Sequence, residues 1–405
     1  MTLCRRSPGK IYLPQGFSFS AACAGIKASG RLDLGLVDCA PGTTAAAVFT
    51  QNRVVAAPVD IGRTALAASH GRVRAVIVNS GNANCATGNQ AYLACRRICR
   101  ATGRLLGLPS DEVFPSSTGI IGVPLPTEKI LKSLATLVAE RGTTKKHLDQ
   151  FAHAIMTTDT RPKLASVRFH SGKGRITVLG VAKGSGMIHP QLATMLVYLF
   201  TDAVATPADL KRLLRGACEP TFNCISVDGD TSTNDTVLLL ASGQSGVRLN
   251  DGSTRKQFAD SLGEVCQSLA EQIVSDGEGV QHVIRLSVEQ ASNQTEALRV
   301  ARSVAHSLLV KTAWAGADPN WGRILAAVGA SGVPIKPDKI NIFIGSQLVC
   351  RNGASCRLDE KRAHRHLAKP VCDVRITLQR GDASTKFLTT DLTADYVRIN
   401  ADYST

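Results

Sequence analysis

An α/β fold with mixed sheets is what this sequence predicts, on three observations. Short runs rich in Val, Ile and Leu, of strand length, alternate with longer segments whose apolar residues recur at helical spacing. Several of the longer segments carry a Ser, Thr or Pro start signal. The stretches between them are dense in Gly, Asn, Asp and Thr. In chain order, strands are expected at 32–37 (LDLGLV), 74–79 (RAVIVN), 176–181 (ITVLGV) and 236–241 (TVLLLA). Four more follow at 283–288, 340–344, 374–378 and 386–389. Helices are expected at 89–106, 128–140, 208–218, 256–275 and 294–311. Thr127 precedes the second, Thr206-Pro207 the third and Ser292 the last, each as a start signal.

Length and composition bound the rest. A chain of 405 residues holds two or three domains or one two-lobed unit, and 44% apolar residues can bury an ample core. No apolar run approaches the roughly 20 residues of a membrane span. Residues 1–15 hold Arg5, Arg6 and Lys10 without an apolar stretch behind them, so no secretory signal is read there. A soluble, cytoplasmic protein with no membrane partner is the expectation. The formal charge of +15 is uneven. Residues 1–193 hold 24 Lys+Arg against 9 Asp+Glu, and residues 194–405 hold 23 of each. Such asymmetry raises nucleic acid, a membrane surface or an acidic substrate as partners. Aromatics at 4% leave little for base stacking and no nucleic-acid module is present, so no nucleic acid is expected. The 12 cysteines form no CxxC and the nine histidines no HxxxH, so no metal is expected and the thiols read as reduced.

Five polar stretches stand out: Asn79–Asn84, Ser116–Gly119, Lys183–Ile188, Asp228–Asp235 and Ser275–Gly279. Each reads as a short loop rich in donors, and five of them in one chain favour a shared site. No dinucleotide fingerprint, phosphate-binding Gly-Lys-Ser/Thr loop or Gly-x-Ser-x-Gly elbow occurs. The segment from Lys183 leads through glycines to Ala193-Thr194 and then an apolar run. Thr194 admits two readings: a β-branched residue opening a strand, or a hydroxyl that attacks the carbonyl of small Ala193. Attack would shift the acyl group from N to O, and hydrolysis would leave Thr194 as a chain terminus. Its α-amine, with a pKa of about 7.7–8.0, could then serve the hydroxyl as general base.

Beyond these patterns, the chain resembles the ornithine acetyltransferase family, the glutamate N-acetyltransferases of arginine biosynthesis. The resemblance rests on Ala24-Gly-Ile-Lys27, Val78-Asn-Ser-Gly-Asn-Ala-Asn84, Ser117-Thr-Gly-Ile-Ile-Gly122 and Met156-Thr-Thr-Asp159. It extends through 183–196, 227–236, Asp276-Gly-Glu-Gly279, Ala317-Asp-Pro-Asn-Trp-Gly-Arg323 and 396–405. It departs after Gly279, where Val280-Gln-His stands in place of a small residue, Thr and Lys.

The resemblance implies a layered α-β-β-α architecture of the N-terminal-nucleophile type. It implies self-cleavage between Ala193 and Thr194 into an α chain (1–193) and a β chain (194–405), assembled as an α2β2 heterotetramer. Thr194 would be the nucleophile, and Thr118 and Gly119 the oxyanion hole. Thr157, Lys183, Thr194, Glu278, Asn400 and Thr405 would bind substrate. The implied reaction moves acetyl from N2-acetyl-L-ornithine to L-glutamate by ping-pong through acetyl-Thr194, with no cofactor. Acetyl-CoA is a candidate second donor. The same site with water as acceptor would be an N-terminal-nucleophile amidase or aminopeptidase.

Overall fold

Two sheets stacked face to face, with helices on both outer surfaces, carry the cavity described below. The computed structural model describes residues 10–172, 174–189, 195–249, 252–357 and 359–402. Ala193, Thr194 and Thr405 therefore lie outside the described residues. Among the described residues the strands form three sheets.

The first sheet runs β1 (Phe17–Ala22), β2 (Leu34–Cys39), β4 (Ala75–Asn82), β5 (Val113–Ile120). Its β4–β5 pair is parallel and the others antiparallel. The second runs β3 (Thr44–Phe49), β9 (Thr236–Ala241), β8 (Leu196–Thr201), β7 (Gly174–Lys183), β6 (Lys163–Ser171). Only β8–β9 is parallel there.

The two-residue period of a strand explains the stacking. In β4, Val76 and Val78 face inward to Leu179, Val181, Tyr198 and Phe200 of the second sheet, and Phe19 meets Phe200 edge-on at 5.3 Å. Ala75 and Ile77 point outward to α2 (Asn89–Leu106) and α3 (Thr127–Ala139), meeting Ile98 and Leu134. Val197, Leu199, Val237 and Leu239 face outward to α5 (Pro207–Cys218) and α6 (Gly252–Val274), against Leu210, Leu214, Phe258 and Leu269. Strands buried on both faces read as continuous apolar runs, which is why 236–241 was legible. Each fully buried side chain of this size contributes roughly 1.5–3 kcal/mol. The α-β-β-α layering expected from the resemblance is present, with α1 (Ala57–Ala68) and α4 (Lys145–Ala154) flanking it.

The third sheet runs β13 (Ala354–Ser355), β12 (Gln347–Arg351), β11 (Asn341–Ile344), β14 (Val371–Thr377), β10 (Val283–Ala291), β15 (Ala383–Thr390). It packs against α7 (Gln294–Ala305), α8 (Leu308–Ala315), α9 (Trp321–Gly329) and α10 (Glu360–Leu367) through Val300, Trp314, Ile324 and Leu367. The last helix, α11 (Ala394–Asp402), returns towards the stacked sheets. No described helix is long and apolar enough to cross a membrane.

Several expectations are corrected. The helix expected at 294–311 is two helices, because the Ser307 side chain accepts from Val310 N–H and starts a second one. Asn293, not Ser292, caps the first of them through Glu296 N–H. Thr127 caps nothing: its hydroxyl donates to the Leu125 carbonyl. Two of the five polar stretches are largely strand, since Asn79–Asn82 and Ser116–Gly119 complete β4 and β5. The 193/194 boundary falls between β7 and β8, antiparallel neighbours in one sheet. The two segments therefore share one core.

Candidate active site

The parallel ends of β4 and β5 form one wall. Gly81 pairs with Gly119, and Ser80 with Thr118. Gly119 has φ +133°, and a Cβ there would lie 2.7 Å from the Gly81 Cα, so only glycine fits. Buried side chains hold this polar pair of strands together. Ser117 Oγ donates to Asn79 Oδ1 at 2.6 Å, and Asn234 Nδ2 donates to the Ala83 and Ser117 carbonyls at 2.7 and 2.9 Å. A loop more than 100 residues away in the chain thus ties down two backbone carbonyls of this polar wall, while Ser80 Oγ and Asn82 Nδ2 donate to the Ala154 and Val123 carbonyls.

Lys183, the last residue of β7, is buried and donates from Nζ to Thr118 Oγ1 at 3.1 Å. A lysine ammonium has no acceptor, so the Thr118 oxygen accepts here and its own proton is free for the cavity. Burial pushes the Lys183 amine below its ordinary range, with Asp159 pulling the other way. Burial also opposes the Asp159 charge, yet Lys163 and Lys183 beside it hold its carboxyl well below the usual carboxylate range.

Glu278 lines the same cavity as Thr118. Its backbone N–H donates to the Ser185 carbonyl at 3.1 Å, and Asn400 Nδ2 donates to Oε2 at 2.9 Å. A Cβ on Gly186 would lie 2.6 Å from the Glu278 Cδ, so glycine at 186 makes room for this carboxylate. Thr157 and Tyr396 complete the lining with the 230–234 loop around a cavity of about 300 Å³. Four of the five polar stretches reach this lining, and the fifth, 79–84, braces it from behind.

The structure thus brings together Thr118, Gly119, Thr157, Lys183, Glu278 and Asn400. Thr194 and its neighbour Ala193 lie outside the described residues, but the chain on both sides of 190–194 is anchored on one segment. Ile188 N–H donates to Asp228 Oδ1 at 2.8 Å, and Met195 N–H to Asp235 Oδ1 at 3.0 Å. Thr405 also lies outside the described residues, three positions beyond the end of α11.

Sequence reasoning gave no role to Asp159, Asp228, Asp235 or Tyr396. All four lie in strings quoted above, but nothing in a string distinguishes a buried carboxylate from a turn residue, or a cavity-lining tyrosine from one on the surface. Asp228 Oδ2 also accepts from Met187 N–H at 2.6 Å, which supports Met187 at φ +54°. Burial raises the Asp228 carboxyl to about 6. Burial likewise raises Asp235 well above its usual range, against the pull of Lys183.

The lining carries Asp228, Asp230 and Glu278 against Lys183, so the excess positive charge of residues 1–193 is not concentrated in it. A larger cavity, about 1060 Å³, opens between α10 and the 316–320 turn with the start of α9; the 318–322 part of one quoted string lines it, but none of the expected site residues does. Among the described residues no three His, Cys, Asp or Glu side chains could hold a metal ion.

Residues 18–405 match the model of the ArgJ family. The arginine biosynthesis bifunctional protein ArgJ of Geobacter sulfurreducens is 45% identical over 96% of this chain and 99% of its own. The glutamate N-acetyltransferase of Methanopyrus kandleri is 43% identical over 97% and 99%. Among solved structures, the ArgJ protein of Bacillus halodurans is 39% identical, with a TM-score of 0.48 over 50% of this chain and 96% of that one.

Proposed function

The chain belongs to the ArgJ family, a family of glutamate N-acetyltransferases, and from that premise we propose that it transfers acetyl from N2-acetyl-L-ornithine to L-glutamate through Thr194. The observation that carries this reading is the convergence of the Thr118 hydroxyl, Lys183 and Glu278 on one cavity.

In the first half-reaction the Thr194 hydroxyl attacks the acetyl carbonyl while its α-amine takes the proton. The tetrahedral oxygen accepts from Thr118 O–H and Gly119 N–H. As the C–N bond breaks, the proton passes to the leaving ornithine amine, and acetyl-Thr194 remains. In the second, the glutamate amine attacks that ester, N-acetylglutamate leaves, and the hydroxyl is restored. One nucleophile thereby splits a hard amide transfer into two easier steps. Glu278, supported by Asn400, suits the δ-ammonium of ornithine, and Lys183 suits a carboxylate. Thr157 and, by resemblance, Thr405 complete the contacts. No cofactor enters the cycle.

Thr194 becomes a terminus by self-cleavage after Ala193, through the N-to-O acyl shift and hydrolysis. The α chain (1–193) and β chain (194–405) stay together because β7 and β8 are paired. The working form we propose is a cytoplasmic α2β2 heterotetramer.

The test is incubation with N-acetylornithine and glutamate, following ornithine and acetylglutamate. Stoichiometric release of both supports the reading. Free acetate without acetylglutamate would overturn it in favour of an amidase. Acetyl-CoA with glutamate, in the absence of acetylornithine, shows whether acetyl-CoA is a second donor.

A further inference from the structure

Behind the cavity lies a buried ion cluster that the reaction does not touch. Lys163, at the start of β6, is fully buried, and so are its two partners. Its Nζ donates to Asp159 Oδ1 and to Asp276 Oδ2, both at 2.6 Å. The two aspartates come from segments more than 100 residues apart, and each holds a stretch of cavity wall. Asp159 accepts from Thr157 N–H at 3.0 Å and from Gly184 N–H, next to Lys183, at 2.7 Å. Asp276 accepts from Thr160 N–H at 3.1 Å and from the Thr160 hydroxyl. Its own carbonyl accepts from Ser185 Oγ at 2.6 Å, two residues before Glu278.

We propose that Lys163 is a positioning residue, a charged clamp that sets the distance between the Thr157–Lys183 side of the cavity and the Glu278 side.

The physical reason is that two carboxylates bonded to one buried ammonium cannot part without breaking a 2.6 Å ion pair, and the other cation beside Asp276, Arg161, approaches it only to 3.9 Å. Their bonded oxygens lie at most about 5 Å apart, where without the lysine they would repel. Lys163 thus converts like-charge repulsion into a tie between the two loops. Salt screens it little, because water is excluded. A neutral side chain could fill the same volume but would not draw both carboxylates inward. The clamp rests on the reading that Thr157, Lys183 and Glu278 hold the substrate.

The experiment therefore uses ornithine binding by calorimetry, which needs no turnover, alongside transfer kinetics. Lys163→Met is measured first. Asp276→Asn is the gentler partner, keeping an oxygen for Lys163 and Thr160 N–H and an amide that can donate to the Thr160 oxygen. The expected result is a rise of about tenfold or more in ornithine Kd and in KM for both substrates with Lys163→Met, with kcat reduced less than about threefold. Asp276→Asn should shift the same constants in the same direction by a smaller factor. If Lys163→Met does not fold, the Asp276→Asn shift alone decides. Unchanged Kd and KM in a folded variant, with only a lower melting temperature, would overturn the clamp. Wild-type protein that binds ornithine but makes no acetylglutamate would instead overturn the transfer reading and leave the clamp standing.

Discussion

Thr118→Val isolates the oxyanion donor with little change of volume. The Thr118 oxygen accepts from Lys183 Nζ at 3.1 Å, which leaves one hydroxyl proton for a developing negative charge. Valine removes that proton and fills the same space. Loss of one such donor costs about 100- to 1000-fold in kcat, or about 2.7–4 kcal/mol of transition-state stabilisation. The same change deprives a buried ammonium of a partner, costing about 1–3 kcal/mol of stability. At about 2–4 °C per kcal/mol or less for a protein this large, the melting temperature should fall by several degrees while the fold survives. The assay is ornithine release at saturating N-acetylornithine and glutamate, beside a thermal melt. Thr118→Ser keeps the hydroxyl and should stay within about tenfold of wild type. A folded Thr118→Val enzyme with kcat within about fivefold of wild type would refute the assignment.

Three further outcomes are expected. Thr194→Ala should yield one intact chain on a denaturing gel and no acetyl transfer, whereas wild type yields two chains of similar size with Thr194 at the new N-terminus; an intact, active wild-type chain would rule out self-cleavage. Gly186→Ala would place a Cβ 2.6 Å from the Glu278 Cδ and force the carboxylate aside. The KM for N-acetylornithine should then rise about tenfold, equivalent to about 1.4 kcal/mol, and an unchanged KM would remove Glu278 from the binding role. Lys311 is buried, and burial lowers its amine from 10.5 to about 8. The folded protein therefore loses this proton before the unfolded chain does, so its contribution to stability rises with pH between about 8 and 10.5, by up to about 3 kcal/mol. Urea unfolding of Lys311→Met should lack that rise, and parallel pH curves for the two proteins would contradict it.

Much of the outer framework was legible. The helix at 89–106 has the bounds its sequence predicts, because its apolar stripe is regular and Gly107, at φ +68°, ends it. The strand at 236–241 was equally plain. Other elements left weaker traces. The ends of β4 and β5 are built of Asn, Ser, Thr and Gly, which look like loop in any local window. β3 is half alanine, with no strong apolar alternation to see. The apparent helix 294–311 concealed a serine cap, since a Ser inside a periodic pattern also reads as an ordinary helical residue.

At the site the division is the same. The strings around Thr118, Lys183, Glu278 and Asn400 marked these positions by resemblance, and the described ones line one cavity. What the linear pattern could not carry was Lys163. A lysine opening a strand normally points to water, and only its burial against two carboxylates from distant loops makes it a clamp.

The order of residues along the chain carries the alternation of elements, the family resemblance and the residue types available for chemistry. These depend on local periodicity and on residues in order, which a chain carries whether or not it is folded. Folding decided which polar stretches became strands, that the strands before and after 193/194 are neighbours in one sheet, and which carboxylates lost their water. Those properties depend on contacts between segments that are separate in the chain, up to more than 100 residues for Lys163 and Asp276, and desolvation exists only once the segments meet.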